Sequence, residues 1–370
     1  MRYYLTAGEA SGDLHGSNLI RALLAEDPEA EFRFRGGDLM AAAAGIPPVA
    51  HYREGAVMGP SDILAKAGSL LGSLNRCKQD IADWKPDAVI LIDYPGFNLR
   101  LARFCHARGI RVFYYIAPKT WASRARRNED LRKYVDHLFI VFPFEVPYFT
   151  KAGVPFIYKG NPLVDAIDAH SFERPCDERY LAVLPGSRAG EIKRTMPVCM
   201  EVADELGLQV LVAGAPSASA QDYERWTAGR ANVKVLFGRT YDILKYADAA
   251  VINSGTASLE AALIGTPQVV CWSSSALTWW YAKHLLRVGK HIPYISLGNL
   301  CLGREAFREL LQADFNKANV LQELRRLLSD GAYRTRMQED YRQIRETLGG
   351  SGASREVARS MINEIKSNIV

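Results

Sequence analysis

Four short stretches of the sequence join small residues to side chains able to do chemistry, and each follows an apolar run. In Ile92-Asp93-Tyr94-Pro95-Gly96-Phe97-Asn98, the Asp93 carboxylate comes directly after Ala88-Val89-Ile90-Leu91. A carboxylate at the end of a strand faces the crevice where open α/β sheets bind ligands, and can act there as a general base toward a hydroxyl. The plainer role is a brace for the Pro95-Gly96 turn, with Asn98 expected to start the next helix. In Thr6-Ala7-Gly8-Glu9-Ala10-Ser11-Gly12-Asp13, small residues let the backbone approach a ligand, and Ser11 or Asp13 is expected to cap the following helix. Glu9 sits where a crevice-facing carboxylate would.

The other two stretches lie in the second half. Leu184-Pro185-Gly186-Ser187-Arg188 sets an arginine beside a Gly-Ser turn, with Glu191 one helical turn later. A guanidinium fork suits diphosphate oxygens, the alternative being a surface ion pair with Glu191. The strand-like run Ala249-Ala250-Val251-Ile252 leads into Asn253-Ser254-Gly255-Thr256, and a helix is expected at once. First-turn N–H groups and the helix dipole favour an anion such as a diphosphate. Glu260, one turn beyond Thr256, can accept hydrogen bonds from ribose hydroxyls.

Other chemistries have no matching residues. The sequence has no G-x-x-x-x-G-K-[ST], H-E-x-x-H or G-x-S-x-G, no D-x-D pair and no His/Cys/Asp cluster with metal spacing. Neither a metal nor a cofactor is expected, and the charge of a leaving diphosphate falls to Arg188 and the helix terminus.

Short apolar runs alternating with amphipathic segments position these residues. Strands are expected at Tyr3–Thr6, Phe32–Arg35, Ala88–Ile92, Val112–Ile116 and Leu138–Val141, then at Leu181–Leu184, Gln209–Ala213, Val233–Phe237, Ala249–Asn253 and Gln268–Trp272. Two such sets imply two doubly wound α/β domains with buried parallel sheets. The expected division is residues 1–168, residues 176–345 and a C-terminal helix over 346–370. Periodicity lapses over Ala166–Pro175, which reads as a linker, and no strong strand is expected after Leu300. In the tail, Val357, Met361, Ile362 and Ile365 form a helical stripe that needs a partner, either a domain or another subunit.

The 370 residues, 48% hydrophobic and 24% charged with a net charge of +5, are those of an ordinary globular protein. Six scattered cysteines with no C-x-x-C pair read as free thiols of a reducing compartment. The N-terminus enters a strand directly, and no apolar run reaches the ~18 residues of a membrane span. A cytoplasmic protein is therefore expected, with any membrane contact peripheral. Two features leave room for such contact. Arg124, Arg126, Arg127, Arg132 and Lys133 make a basic cluster, either a solvated helix face or a phosphate-meeting patch. The stretch Val57–Leu74 is apolar except for Asp62 and Lys66, and its Met58, Ile63, Leu64, Leu70 and Leu71 are candidates for acyl or membrane contact against a default of core packing. No nucleic-acid motif accompanies the basic residues.

Together the four stretches, with Ile295-Ser296-Leu297-Gly298-Asn299-Leu300, resemble the lipid-A-disaccharide synthases, inverting glycosyltransferases of the GT-B architecture. The resemblance runs from the first strand to beyond Leu310. It implies two Rossmann-like domains facing across a cleft. The donor would be UDP-2,3-diacylglucosamine, the acceptor 2,3-diacylglucosamine 1-phosphate, and the products UDP and a β-1,6-linked disaccharide 1-phosphate. Asp93 matches the family's essential aspartate. Arg188, Thr256 and Glu260 match positions assigned to UDP, with Ser254 and Gly255 in the same turn, and Asn299 matches an asparagine of the nucleotide pocket. Glu9, Ser11 and Asn98 would border the acceptor or cleft. The family also implies association with the inner face of the cytoplasmic membrane and, in some members, a homodimer exchanging C-terminal segments. The chain departs from the family at Gly96, usually aspartate, and at Gly298, usually proline. Rival readings are a UDP-sugar 2-epimerase, a lipid-linked N-acetylglucosaminyltransferase, or a two-lobed binding protein without chemistry. An epimerase needs a histidine near its carboxylates, and the motifs offer only His15.

Overall fold

Strands such as Ala88-Val89-Ile90-Leu91-Ile92 are buried at every position, as expected where helices cover both faces of a parallel sheet. In the computed structural model, which describes residues 1–55, 63–216, 218–253, 255–274 and 293–367 (side chains of residues 55 and 63–69 excepted), such strands build two parallel sheets. The chain forms two compact units, Met1–Ala166 with Gly349–Val370, and Ile167–Leu348.

The first unit runs β1 (Arg2–Ala7), α1 (Ala10–Glu26), β2 (Glu31–Gly36), α2 (Asp38–Ala44), β3 (Ala50–His51), α3 (Ile63–Trp84), β4 (Ala88–Ile92), α4 (Pro95–His106), β5 (Arg111–Tyr115), α5 (Arg127–Tyr134), β6 (His137–Ile140), α6 (Glu145–Lys151), β7 (Ile157–Tyr158) and α7 (Pro162–Asp168). Its seven strands order as β3-β2-β1-β4-β5-β6-β7. The register pairs Ala7 with Ile92 and Ile92 with Tyr115, so the carboxyl ends of β1, β4 and β5 lie side by side.

The second unit runs β8 (Tyr180–Leu184), α8 (Ala189–Leu206), β9 (Gln209–Gly214), α9 (Gln221–Thr227), β10 (Val233–Phe237), α10 (Thr240–Tyr246), β11 (Ala249–Asn253), α11 (Thr256–Ile264), β12 (Gln268–Trp272), α12 (Leu297–Leu302), β13 (Glu309–Leu311), α13 (Lys317–Ser329) and α14 (Gly331–Leu348). The sheet order is β10-β9-β8-β11-β12-β13. A last helix, α15 (Ala353–Lys366), belongs to the first unit.

Three strands go beyond the sequence reading. β3 and β7 have two residues each and sit at the sheet edges, too short to leave a periodic signal. β13 lies after Leu300, where no strand was expected, and pairs with β12 through Val270, Cys271 and Trp272. The segment read as a linker is not loose. α7 runs to Asp168, and the chain beyond it is pinned through Asp242, which meets His170 at 3.0 Å, the Glu173 N–H at 3.0 Å and Arg239 at 2.9 Å. Polar pins leave no hydrophobic periodicity to read.

The tail's stripe is covered within its own unit. Val357, Ala358, Met361, Ile362 and Ile365 are all buried, and α15 packs on α1. Asp165 accepts the Gly352 and Ser354 N–H groups at 2.6 and 2.7 Å, and Glu26 pairs with Arg355 and Arg359. All six cysteines are free, and four of them are buried. Among the described residues no helix is long and apolar enough to cross a membrane.

Candidate active site

Each sheet changes winding direction once, between β1 and β4 in the first unit and between β8 and β11 in the second. Loops leaving the carboxyl ends of such strand pairs part to opposite faces and open the crevice where α/β folds bind ligands. The sequence-selected residues fall at these two points. Glu9 follows β1 and Asp93 follows β4. Arg188 follows β8, and Gly255-Thr256 follows β11.

In the first unit, Asp93 and Tyr94 both have left-handed backbones, with φ of 43° and 44°. For non-glycine residues this costs roughly 1–3 kcal/mol each, a strain typical of functional sites. The Asp93 carbonyl accepts from Asn98 Nδ2 at 2.8 Å and from the Tyr114 hydroxyl at 2.6 Å. The Tyr94 ring packs so closely over Gly8 that a Cβ there would come within 2.4 Å of it. The loops carrying Glu9 and Asp93 are thereby held together. Burial pushes the Asp93 pKa above the ordinary carboxylate range, Lys119 and Arg127 pull it back, and Glu9 adds to the rise. An exposed Glu9 and a half-buried Asp93 thus share one electrostatic environment with two cations.

Three expectations for this unit change. Asn98 does not start α4, which begins at Pro95; it is fully buried, and its amide is turned onto the Ile92 and Asp93 carbonyls rather than into the crevice. Neither Ser11 nor Asp13 caps α1, whose N-cap is Glu9 without a side-chain cap bond. Ser11 is exposed in the first turn, whereas Asp13 is buried and accepts the Gly37, Leu39 and Met40 N–H groups, bracing the start of α2. His15 is buried too, and burial lowers its pKa to about 4, so it is uncharged near neutral pH.

Of the basic cluster, Arg124, Arg126, Arg132 and Lys133 are exposed, while Arg127 turns inward and is felt by Asp93 and Tyr114. Leu70 packs on the first unit's core and Leu71 is 53% exposed. Met58 and Ser254 lie outside the described residues, as do the side chains of Ile63 and Leu64.

One residue that the sequence reading passed over is prominent. Glu145, 1% exposed, accepts the Val141 and Phe142 N–H groups at 3.2 and 3.1 Å and the Trp121 indole N–H at 3.1 Å. Burial pushes its pKa up to about 7 against the pull of those donors and Lys119. Only its place in Phe142-Pro143-Phe144-Glu145, just past a strand, hinted at it.

In the second unit, Arg188 is the N-cap of the eighteen-residue α8. Its guanidinium lies 3.1 Å from Glu191 and is 71% exposed, so the ion pair forms and most of the fork still faces solvent. Glu191 also takes the Ser187 and Arg188 N–H groups, fixing the turn. Gly255, with φ of 150° in a region open to glycine, is the N-cap of α11. Beneath it, Asn253 is buried and its Nδ2 donates to Thr195 Oγ1 at 3.1 Å, leaving its side-chain Oδ1 unpaired. Burial raises Glu260 to about 7, and the neighbouring Tyr241 hydroxyl pulls it back in part.

Asn299 is fully buried, and its hydrogen-bonding capacity is used within the protein. It donates to Phe307 O and Glu309 Oε1 and accepts the N–H groups of Ala306 and Phe307. Glu309 collects the Ile295 and Ser296 N–H groups as well. In this arrangement Asn299 shapes the loop and has no polar atom left over for a ligand.

The fold and the paired switch-point sites define a two-unit α/β protein of GT-B type. Solved structures share this fold: UDP-GlcNAc 2-epimerase from Neisseria meningitidis, bound to UDP-GlcNAc, has a TM-score of 0.70 at 12% identity, covering 98% of this chain and 100% of that one. The glycotransferase of kitacinnamycin has a TM-score of 0.64 at 17% identity, covering 98% of each chain. Such distant likeness speaks to fold alone. Sequence goes further, because the lipid-A-disaccharide synthetase family model matches residues 3–363, and the chain belongs to that family of glycosyltransferases. Its similarity to the lipid-A-disaccharide synthase of Trichlorobacter lovleyi is 35% identity, covering 99% of this chain and 98% of that protein. With those of Geobacter sulfurreducens and Syntrophus aciditrophicus it is 36% and 37%, covering 96% and 98% of this chain and 95% and 97% of theirs.

Proposed function

We propose that the chain transfers 2,3-diacylglucosamine from UDP-2,3-diacylglucosamine to the 6-hydroxyl of 2,3-diacylglucosamine 1-phosphate. The products are the β-1,6-linked disaccharide 1-phosphate of lipid A biosynthesis and UDP. Family membership over nearly the whole length supports the reaction. Within the site, the observation that carries the reading is the Asp93 carboxyl, half-buried at a switch point and raised in pKa. Once ionised, a carboxylate of raised pKa is a better proton acceptor than an ordinary one.

Asp93 takes the proton of the 6-hydroxyl as that oxygen bonds to the anomeric carbon. The bond from this carbon to the diphosphate oxygen breaks, and its electron pair leaves with UDP. Attack opposite the leaving group inverts the anomeric centre. Arg188 and the amides at Gly255 and Thr256 take up the charge of the leaving diphosphate, preorganised donors being worth a few kcal/mol each. Ser254 is assigned to the same turn, and Glu260 accepts from the ribose hydroxyls. Asn299 acts by holding its loop. Glu9 and Ser11 border the acceptor.

Substrates with acyl chains bring the protein to the inner face of the cytoplasmic membrane as a peripheral enzyme, and the exposed Leu71 supports such contact. Met58, Ile63 and Leu64 belong to the same apolar stretch. A homodimer exchanging C-terminal segments would replace the packing of α15 on α1 with that of a second copy.

The test is Asp93→Asn. Loss of a general base lowers turnover by about 10²–10⁴-fold, read as disaccharide formed per minute by a variant with the wild-type Tm. Turnover within a few fold of wild type removes the assignment.

A further inference from the structure

We propose that Thr6, Asn98 and Tyr114 are positioning residues that lock the Asp93-Tyr94 backbone and thereby aim the Asp93 carboxyl. The inference rests on the reading of Asp93 as the base.

Two consecutive left-handed non-glycine residues persist only where their surroundings over-determine them. Here two strands and a helix supply the constraint. From β5, the Tyr114 hydroxyl donates to the Asp93 carbonyl at 2.6 Å, and the Tyr115 carbonyl accepts the Asp93 N–H at 3.2 Å. From α4, the Asn98 amide donates both to that Asp93 carbonyl, at 2.8 Å, and to the carbonyl of Ile92, the last residue of β4, at 3.1 Å. From β1, the Thr6 hydroxyl donates to Asn98 Oδ1 at 2.7 Å.

The network has one consistent polarity. Two backbone carbonyls can only accept, so the Asn98 NH2 must face them, and its oxygen must face Thr6. The Thr6 hydroxyl then fixes which way the amide points. With two donors, the Asp93 carbonyl has both lone pairs filled. Turning the Asp93-Tyr94 peptide would strand the Tyr114 hydroxyl and one N–H of the Asn98 amide, both on fully buried residues. The carboxyl leaves the same α-carbon, so its direction is set by groups that never touch a substrate.

Kinetics of Tyr114→Phe and Thr6→Val, with Thr6→Ser as the conservative control, test this. Loosening the turn should lower kcat about tenfold in Tyr114→Phe while the donor KM stays within about twofold, because the donor-side residues are untouched. The acid limb of the kcat/KM profile should move to lower pH as the freed carboxyl gains water. Thr6→Val should show the same split, and Thr6→Ser, which keeps the hydroxyl, should restore wild-type kcat and the wild-type limb. Should Tyr114→Phe fail to fold, the contrast between Thr6→Val and Thr6→Ser decides. Wild-type kcat and an unmoved limb in folded Tyr114→Phe or Thr6→Val overturn the proposal. Asp93→Asn in the same assay separates the two ideas. An inactive Asp93→Asn beside unaffected clamp variants sinks the clamp alone, whereas an active Asp93→Asn sinks the reading beneath it.

Discussion

At the scale of single residues, what matters is where charge is tolerated. Asp93 is raised by burial and by Glu9, and restrained by Lys119 and Arg127. A base with a raised pKa loses activity as pH falls through that value, so the acid limb of kcat/KM should lie above the ordinary carboxylate range. Lys119→Met removes a cation that favours the ionised form. It should move the limb upward, and a limb that stays or moves down contradicts this electrostatic picture. Glu145 carries a separate, structural prediction. Its pKa of about 7 when folded exceeds the ordinary 4.5, so between these values the folded chain keeps a proton that the unfolded chain has released. The stability contributed by this group is full below about pH 4.5 and is lost as pH rises to about 7. Glu145→Gln does not titrate, so the wild-type Tm minus the variant Tm should shrink across that window; a flat or growing difference counts against it.

At the scale of elements, glycines divide into those with a neighbour and those without. A Cβ on Gly8 would meet the Tyr94 ring at 2.4 Å, whereas one on Gly96, exposed in the first turn of α4, would meet nothing within 4 Å. Gly8→Ala should therefore cost about 1–3 kcal/mol by overpacking and lower kcat/KM. Gly96→Ala should be stabilising by about 0.5–1 kcal/mol, since it trims the freedom of the unfolded chain. Chemical denaturation of both variants measures the pair, and equal effects would refute the contact. Gly298 also has a local reason, because a Cβ there would sit 2.8 Å from the Phe307 ring. Buried strands such as β4 and β11 were legible because every residue in them before Asn253, the last of β11, is apolar. β3, β7 and β13 were not, since two or three residues at a sheet edge carry no period. The candidate site was legible to the same extent. Asp93, Arg188 and Gly255 follow strands and stand out beside turn residues. Thr6 and Tyr114 sit inside strands, where a polar atom serving a loop reads as one more strand residue. Asn98 was noticed for its neighbourhood and misread for its direction, because a buried amide and a crevice-facing one look alike in sequence.

At the scale of the whole molecule, two sheets of the same winding each carry a switch point, and the chemistry divides between them. In the proposed reaction the first unit supplies the carboxylate that receives a proton, and the second the arginine and helix start suited to a diphosphate. The C-terminal helix returns to α1 of the first unit, so both ends of the chain stabilise the unit that holds Asp93. The fold itself is common to epimerases and glycosyltransferases, and family membership separates them here. The decisive measurement is product analysis by mass spectrometry after incubating the purified chain with UDP-2,3-diacylglucosamine, with and without 2,3-diacylglucosamine 1-phosphate. Disaccharide 1-phosphate and UDP should form in equal amounts, and only when the acceptor is present. Epimerised UDP-sugar without acceptor, or no disaccharide with it, would rule out the proposed transfer.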